Sequence, residues 1–348
     1  MLDIKWDKIL LVGNRGHKNM GDEIILIGLI KLLLKQWKEI YVATTNKIWL
    51  EKFHRQFLDT KNITYIMELP KGFRSLGRFI KNFKDIKHYF TTDTVIVGGG
   101  EILTEETSYC RIYWFMSIWI SLIAWKKLYL MGGIQIPKKI GNKLLYKLFT
   151  KKSEHIYARD YDTVRELQAD GVKNVSFFMD TSFFLKDNLC NNIINSKKEN
   201  NCNYKWNIKN LEWKIDSWNK LMKDKKKKFV VINLNRKGEQ YYDNLVKKTK
   251  KYIQDGYIIY YVPICKSPSD DDMRFYKKLY KLFPNMKLLD WETDFRWFIN
   301  KLSFASDVIT PRLHLFLVSS YLSIDMEVFE YQRKILKMKK VLACSNKN

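Results

Sequence analysis

The chain has 348 residues, 46% of them hydrophobic, which is long enough for two domains with their own cores and too apolar for wholesale disorder. Its 62 Lys+Arg against 37 Asp+Glu give a net charge of +25, which favours anionic partners: phosphorylated substrates, nucleic acid or a membrane surface. Lysine outnumbers arginine 50 to 12 and the lysines are scattered, so a solvated basic surface explains the charge better than a nucleic-acid footprint, and no nucleic-acid partner is expected. Peripheral contact of that surface with a membrane stays open.

The five cysteines, Cys110, Cys190, Cys202, Cys265 and Cys344, are far apart and form no C-x-x-C pair. Neither a metal site nor a disulfide framework is expected, and a reducing compartment fits. Asp3, Lys5, Asp7 and Lys8 make the start of the chain too charged for a signal peptide. The longest apolar stretch, Ile112 to Trp125, has 14 residues. A spanning helix needs about 20, so a buried helix in a cytoplasmic protein is expected.

In chain order, Lys8 to Gly13 predicts a short buried strand, and Asn14 to Gly21 a loop. Asp22 and Glu23 open an apolar helical pattern running to Leu33, acids at a helix start being favoured by its dipole. Ile40 to Thr44 is a second strand. Strands are also expected over Asp93–Val97, Lys127–Met131, His155–Arg159 and Ser176–Met179, with helices over Ile112–Ala124 and Asp162–Ala169. Residues 186–228 are rich in Asn and Lys and read as a linker or insertion, with partial helix around Trp206 and Trp213. The alternation then resumes. Strands are expected at Phe229–Leu234, Tyr257–Val262, Lys287–Leu289 and Asp307–Ile309, and helices at Tyr242–Ile253, Met273–Leu282, Asp294–Ala305 and Arg312–Tyr321. The expectation is an α/β chain of two Rossmann-like domains: 1–185, then the linker 186–228, then 229–348 with a terminal helix.

Chemistry is expected where strands end and helices begin. The segment Gly13-Asn-Arg-Gly-His-Lys-Asn-Met-Gly21 lacks the Gly-Lys-Ser/Thr of a nucleotide-binding P-loop and is not G-x-G-x-x-G. It reads equally as a ligand loop or a tight turn. Gly98-Gly99-Gly100 and Gly132-Gly133 imply close approach, either by a ligand or by packed backbone. Arg159 has the shape of a carboxylate or phosphate clamp, or else forms an ion pair with Asp160 or Asp162. Arg312 and His314, two apart at a helix start, offer a cation and an acid/base, against the alternative of a packing histidine.

Taken together and in order, these segments resemble the polysaccharide pyruvyl transferase family. The matching residues are Gly16-x-x-Asn19-x-Gly21-Asp22-Glu23, Val95-Ile-Val-Gly-Gly-Gly100, Met131-Gly-Gly-Ile-Gln-Ile-Pro137, Arg159-Asp160-x-x-Thr163, Asp180-Thr-Ser-Phe183, Arg312-Leu313-His314 and Tyr331-x-x-Lys334. The resemblance implies a glycosyltransferase-B-like architecture. It implies transfer of pyruvate from phosphoenolpyruvate onto two hydroxyls of a glycan sugar, forming a cyclic ketal, with no cofactor and no metal. It further implies that Arg159, Arg312 and His314 handle phosphoenolpyruvate. With the chemistry of the residues themselves, His314, Arg312 and Asp22 are expected to be catalytic, Arg159, Arg312, Gly98, Gly99 and Gly100 donor-binding, and Asn19, Asp22 and Glu23 acceptor-binding. The chain departs from the family pattern at Glu101, at Gln135 and over Ser319–Asp325, which has neither Gly nor Pro. A nucleotide-sugar glycosyltransferase of the same architecture and an inactive glycan-binding relative are the alternatives.

Overall fold

The computed structural model describes residues 8–69, 77, 80, 82–102, 126–185, 228–330 and 333–345, apart from 14, 37–38 and 268–269. The expected helix over Ile112–Ala124 and the linker tryptophans lie outside the described residues. The chain divides into two compact units, residues 1–185 with 332–348, and residues 186–331.

The first unit carries strands β1 (Lys8–Val12), β2 (Glu39–Thr44), β3 (Ile63–Met67), β4 (Thr94–Ile102), β5 (Lys127–Ile134), β6 (His155–Ala158) and β7 (Val175–Phe177). Between them run helices α1 (Met20–Leu34), α2 (Lys47–His54), α3 (Ile86–Thr91), α4 (Ile140–Lys152) and α5 (Tyr161–Ala169). The strands form one parallel sheet in the order β3-β2-β1-β4-β5-β6-β7. Alternate residues of each strand feed two apolar layers: Leu10, Val95 and Leu130 join Phe149 and Leu167 on one face, while Ile9, Leu11 and Ile96 join Leu26, Leu29 and Leu33 on the other. Burial on both faces is why the strands read as unbroken apolar runs.

Helix α1 is buried all round, which explains its lack of a polar face. One side meets the sheet. The other meets the 3-10 turn Thr181–Leu185, where Thr181 Oγ1 donates to the Ile25 carbonyl at 2.7 Å. A Cβ on Gly28 would stand 1.8 Å from the Thr181 carbonyl oxygen, so only glycine permits this packing.

The second unit repeats the plan with β8 (Phe229–Ile232), β9 (Ile258–Tyr261), β10 (Lys287–Leu288), β11 (Asp307–Thr310) and β12 (Met326–Val328). Its helices are α6 (Tyr242–Gln254), α7 (Met273–Leu282), α8 (Phe295–Leu302) and α9 (Leu313–Tyr321). Its parallel sheet has the order β10-β9-β8-β11-β12. Among the described residues, no helix is long and apolar enough to cross a membrane.

Two expectations change. The glycine triplet and pair do not follow their strands but lie inside them: β4 continues through Gly98–Gly100 with a register shift between Gly98 and Glu101, and β5 runs to Ile134. The terminal helix, Arg333–Ser345, does not stay with 229–331. It returns to the first unit, burying Ile335, Met338 and Val341.

The departure from the family pattern after His314 also has a structural consequence. Helix α9 ends in a Schellman turn, with Ile324 N–H on the Ser319 carbonyl and Ser323 N–H on the Ser320 carbonyl, both 3.1 Å. Ser323 takes the left-handed conformation (φ 55°) that this turn requires and glycine prefers. Ser323→Gly is expected to stabilise the second unit by about 1 kcal/mol. Urea denaturation with an unchanged or lower midpoint would contradict this.

Candidate active site

Each sheet reverses its strand order once, between β1 and β4 in the first unit and between β8 and β11 in the second. Loops leaving neighbouring strands at such a point run to opposite faces and leave a crevice at the carboxyl ends of the strands. Asn19, Asp22 and Glu23 stand at the first of these places and Arg312 and His314 at the second, while Arg159 follows β6, two strands from β4.

In the first unit, Asn19 caps α1. Its side-chain oxygen accepts from Gly21 N–H at 3.2 Å and its amide donates to Asp22 Oδ2 at 2.9 Å. Glu23 is fully buried and its Oε1 accepts from Gly16 N–H at 2.8 Å. Arg15, also fully buried, folds back beneath β4 and donates from Nη2 to the Gly98 carbonyl at 2.7 Å. A Cβ on Gly99 would stand 2.3 Å from Arg15 Nη1, and one on Gly100 2.7 Å from Asp22 Oδ1; both residues have positive φ, 100° and 71°. The glycine triplet is therefore where two charged side chains press against the backbone of β4.

Beside it opens a small cleft lined by Ile25, Gly99, Gly100, Met131, Gly132, Arg159, Phe178, Met179, Asp180 and Thr181. Arg159 follows β6 and is 4% exposed, with Nη1 3.8 Å from Asp180 Oδ2. Its guanidinium lies against Gly133, where a Cβ would be 2.8 Å from Nη2. Asp160, one residue on, caps α5 instead, accepting from Thr163 N–H at 2.7 Å, and Asp162 pairs with Arg165 and Lys340.

Burial dominates the electrostatics of this cluster. It pushes the Asp22 carboxyl up from 3.8 to about 6, while Arg15, Lys334, the Asn19 hydrogen bond and Arg159 hold it back. Burial, with the neighbouring Asp22 charge, pushes Glu23 up to about 8, against Arg15 and the loop amides. Near neutral pH, Glu23 is a neutral acid and Asp22 titrates, the property a general acid or base requires.

In the second unit, Arg312 caps α9, its N–H on Thr310 Oγ1 at 2.9 Å, and His314 lies in the first turn. The Arg312 guanidinium is held by two carboxylates: Nη1 donates to Asp270 Oδ2 at 2.7 Å, Nε to Asp272 Oδ2 at 3.3 Å, and Nη2 to Asp272 Oδ1. Asp272 also accepts from Asn233 Nδ2 at 3.0 Å and from Ile264 and Cys265 N–H at 3.1 and 3.2 Å. Asn233 in turn reaches the Val262 carbonyl and Thr310 Oγ1, so the network ties the ends of β8, β9 and β11 together. Burial pushes Asp272 up and Arg312 pulls it back; Asp272 and Asp270 keep Arg312 firmly protonated despite its burial.

The structure brings Gly99, Gly100 and Arg159 to one cleft, sets Asp22 against Gly100 outside the cleft lining, and places Arg312 and His314 together in the other unit. Gly98 serves mainly as Arg15's hydrogen-bond acceptor. Glu23, expected as an acceptor contact, has no exposed surface and instead ties the loop to α1. Arg312, expected as an open clamp, already has its fork filled by Asp270 and Asp272. The sequence reading passed over Arg15, whose only signal is an arginine between Gly13 and Gly16, and Asp272, which looks like an ordinary exposed helix-start acid. Among the described residues, no group of three or more His, Cys, Asp or Glu side chains is placed to hold a metal ion.

A family model described as polysaccharide pyruvyl transferase matches residues 19–323. No curated protein sequence matches the chain significantly. Solved structures with a similar fold include S. aureus MnaA in a co-structure with UDP, with 16% identity, 92% of this chain and 79% of that chain covered, and a TM-score of 0.56. The UDP-GlcNAc 2-epimerase of Neisseria meningitidis bound to UDP-GlcNAc is similar at 13% identity, 92% and 82% coverage and a TM-score of 0.56. HepE of Anabaena in complex with UDP-glucose follows at 13% identity, 92% and 80% coverage and a TM-score of 0.52. At these identities the likeness establishes the fold, a glycosyltransferase-B-like α/β architecture.

The raised carboxyls make a stability prediction. An acid whose pKa is higher folded than unfolded loses stability as pH rises, here from about 4 to about 6 for Asp22. Asp22→Asn is therefore expected to be more stable than the parent by about 2 kcal/mol at pH 8, with the gain vanishing near pH 4. Denaturant titrations at the two pH values check it. A variant less stable at pH 8 would show that the Asp22 charge is better compensated than its surroundings indicate.

Proposed function

As the chain belongs to the polysaccharide pyruvyl transferase family, we propose that it moves pyruvate from phosphoenolpyruvate onto two hydroxyls of a glycan sugar, forming a cyclic ketal and releasing phosphate. The observation that carries this reading is the cleft lined from β4, β5 and the end of β6. Its lining holds a buried arginine, Arg159, and against its Gly100 lies the Asp22 carboxyl, which burial pushes up to about 6.

Phosphoenolpyruvate carries a carboxylate and a phosphate, and a guanidinium binds either through paired hydrogen bonds. Arg159 is set rigidly by Asp180 and by the backbone of Gly133, which suits it to fix the orientation of such a group. The reaction then balances as follows. A proton adds to the methylene carbon, making it a methyl group and leaving the central carbon electrophilic. One sugar hydroxyl bonds to that carbon and loses its proton. Phosphate departs with its bonding electrons, and the second hydroxyl, losing its proton, closes the ketal. Two protons leave the hydroxyls; one balances the new methyl and one the phosphate. Asp22, half protonated near pH 6, has the acidity to give or take one of them, and His314 at the head of α9 is the second acid/base candidate. Asn19 orients the Asp22 carboxyl through its amide. Arg312 in this reading exchanges one carboxylate partner, the less buried Asp270, for an anionic group of the substrate.

The fold neighbours bound to UDP, UDP-GlcNAc and UDP-glucose supply the competing reading, a sugar-nucleotide enzyme. Phosphate release from phosphoenolpyruvate, dependent on an added acceptor sugar, separates the two. We expect release to fall at least a hundredfold in Arg159→Ala and in His314→Ala, measured at a temperature where circular dichroism shows each variant still folded. Acceptor-dependent release of UDP from a UDP-sugar, with none of phosphate from phosphoenolpyruvate, would overturn the proposal.

A further inference from the structure

One face of the first unit is both apolar and basic. Helix α3 leads into β4 and α4 leaves the neighbouring strand β5. Both bury their inner side chains, Tyr89 of α3 and Tyr146 and Phe149 of α4, in the same apolar layer. Their outer sides leave large apolar groups in solvent. Ile140 and Leu144, one turn apart on α4, are 82% and 67% exposed. Phe83 and Phe90, two turns apart along the 3-10 turn Phe83–Asp85 and α3, are 61% and 56% exposed. Lysines surround them. Residues 138–152 hold six, Lys138, Lys139, Lys143, Lys147, Lys151 and Lys152, all exposed, and no Asp or Glu. Lys84 and Lys87 add two more beside the phenylalanines. The acid between them, Asp85, is turned inward, its carboxylate accepting from Lys47 Nζ at 2.9 Å and from Met67 N–H at 2.6 Å.

We propose that this face docks the protein on an anionic membrane surface, with Phe83, Phe90, Ile140 and Leu144 entering the interfacial layer and the lysines holding the headgroups. Nothing in this surface depends on which donor the reaction uses. Charge and apolar area together select the occupant. A second copy of this chain would set lysines against lysines, which is costly. A nucleic acid would match the lysines and leave the four apolar side chains in water. An anionic leaflet satisfies both, because peripheral attachment grows with the apolar area buried and with the attraction of basic residues to anionic lipid. The spacing suits it. Lys143 adjoins Leu144, and Lys87 lies between Phe83 and Phe90, so the lysine stems can follow the apolar side chains while their ammonium groups reach lipid phosphates. Ile140 opens α4 after a loop of five residues from the end of β5, so the face begins at the carboxyl edge of the sheet, where the Arg159 cleft also lies.

The test floats the full-length protein with two kinds of vesicle, phosphatidylcholine alone and phosphatidylcholine with about a third phosphatidylglycerol. The variants are the pair Ile140→Ser with Leu144→Ser and the pair Lys143→Gln with Lys147→Gln. A control pair on α6 of the second unit, Lys247→Gln with Lys250→Gln, removes the same charge elsewhere. The parent is expected to bind the anionic vesicles, to ignore the neutral ones and to let go as salt rises. The serine pair is expected to weaken binding at least about tenfold. The glutamine pair on α4 is expected to weaken it about twenty-five-fold, about fivefold for each lysine near the leaflet. The control pair should bind like the parent. All four α4 side chains are exposed, so melting temperatures stay in place. Equal weakening by the control pair would show attraction by net charge alone and overturn the inference. A parent that binds neither vesicle, or both equally, would overturn it too. A dimer in sedimentation equilibrium that the serine pair dissociates, in a protein that ignores vesicles, would assign the face to a second copy instead.

Discussion

Charge buried against a glycine backbone is the constraint on which the first unit's site depends. Arg15 and Asp22 both lie at the head of α1, and both are pressed onto β4 where a side chain on Gly99 or Gly100 would collide with them. Each is costly to desolvate alone. They are tolerated because Arg15 donates to the Gly98 carbonyl, Asn19 donates to Asp22, and Glu23 takes up a loop amide while remaining neutral. What this arrangement leaves is a carboxyl held near its titration point beside a rigid arginine, at the place where a doubly wound sheet opens a crevice. The chemistry proposed follows from that juxtaposition more than from any single residue.

The second unit solves a similar problem differently. A single aspartate, Asp272, collects two backbone N–H groups, the Asn233 amide and the Arg312 guanidinium, and so joins three strands to the start of α9. The arrangement fixes where Arg312 and His314 stand. It also means that most of the Arg312 donors are already engaged by Asp270 and Asp272.

Much of the fold was legible in the sequence, because strands buried on both faces leave continuous apolar runs such as Lys8–Gly13, and helices such as α5 and α7 carry one clear apolar stripe. Strand β3 and helix α4 escaped notice. β3 is five residues long with an exposed Thr64, and α4 exposes Ile140 and Leu144 at 82% and 67%, which blurs its stripe. The candidate site was legible as a set of residues but not as a geometry. Arg15 acquires its role from a carbonyl 83 positions away, and Lys337 from Thr163, 174 positions away. Contacts of that range leave no periodic trace, so the return of the terminal helix and the filling of the Arg312 fork could be read only from the fold.

Phosphoenolpyruvate is proposed to bind in the cleft beside Gly100 through Arg159. Calorimetric titration of phosphoenolpyruvate into the parent protein and into Arg159→Gln, with UDP-GlcNAc as the competing ligand, tests it most directly. One phosphoenolpyruvate site per chain is expected, weakened at least tenfold in Arg159→Gln at a temperature where that variant is still folded. Equal affinity in both proteins, or heat from UDP-GlcNAc alone, would contradict it.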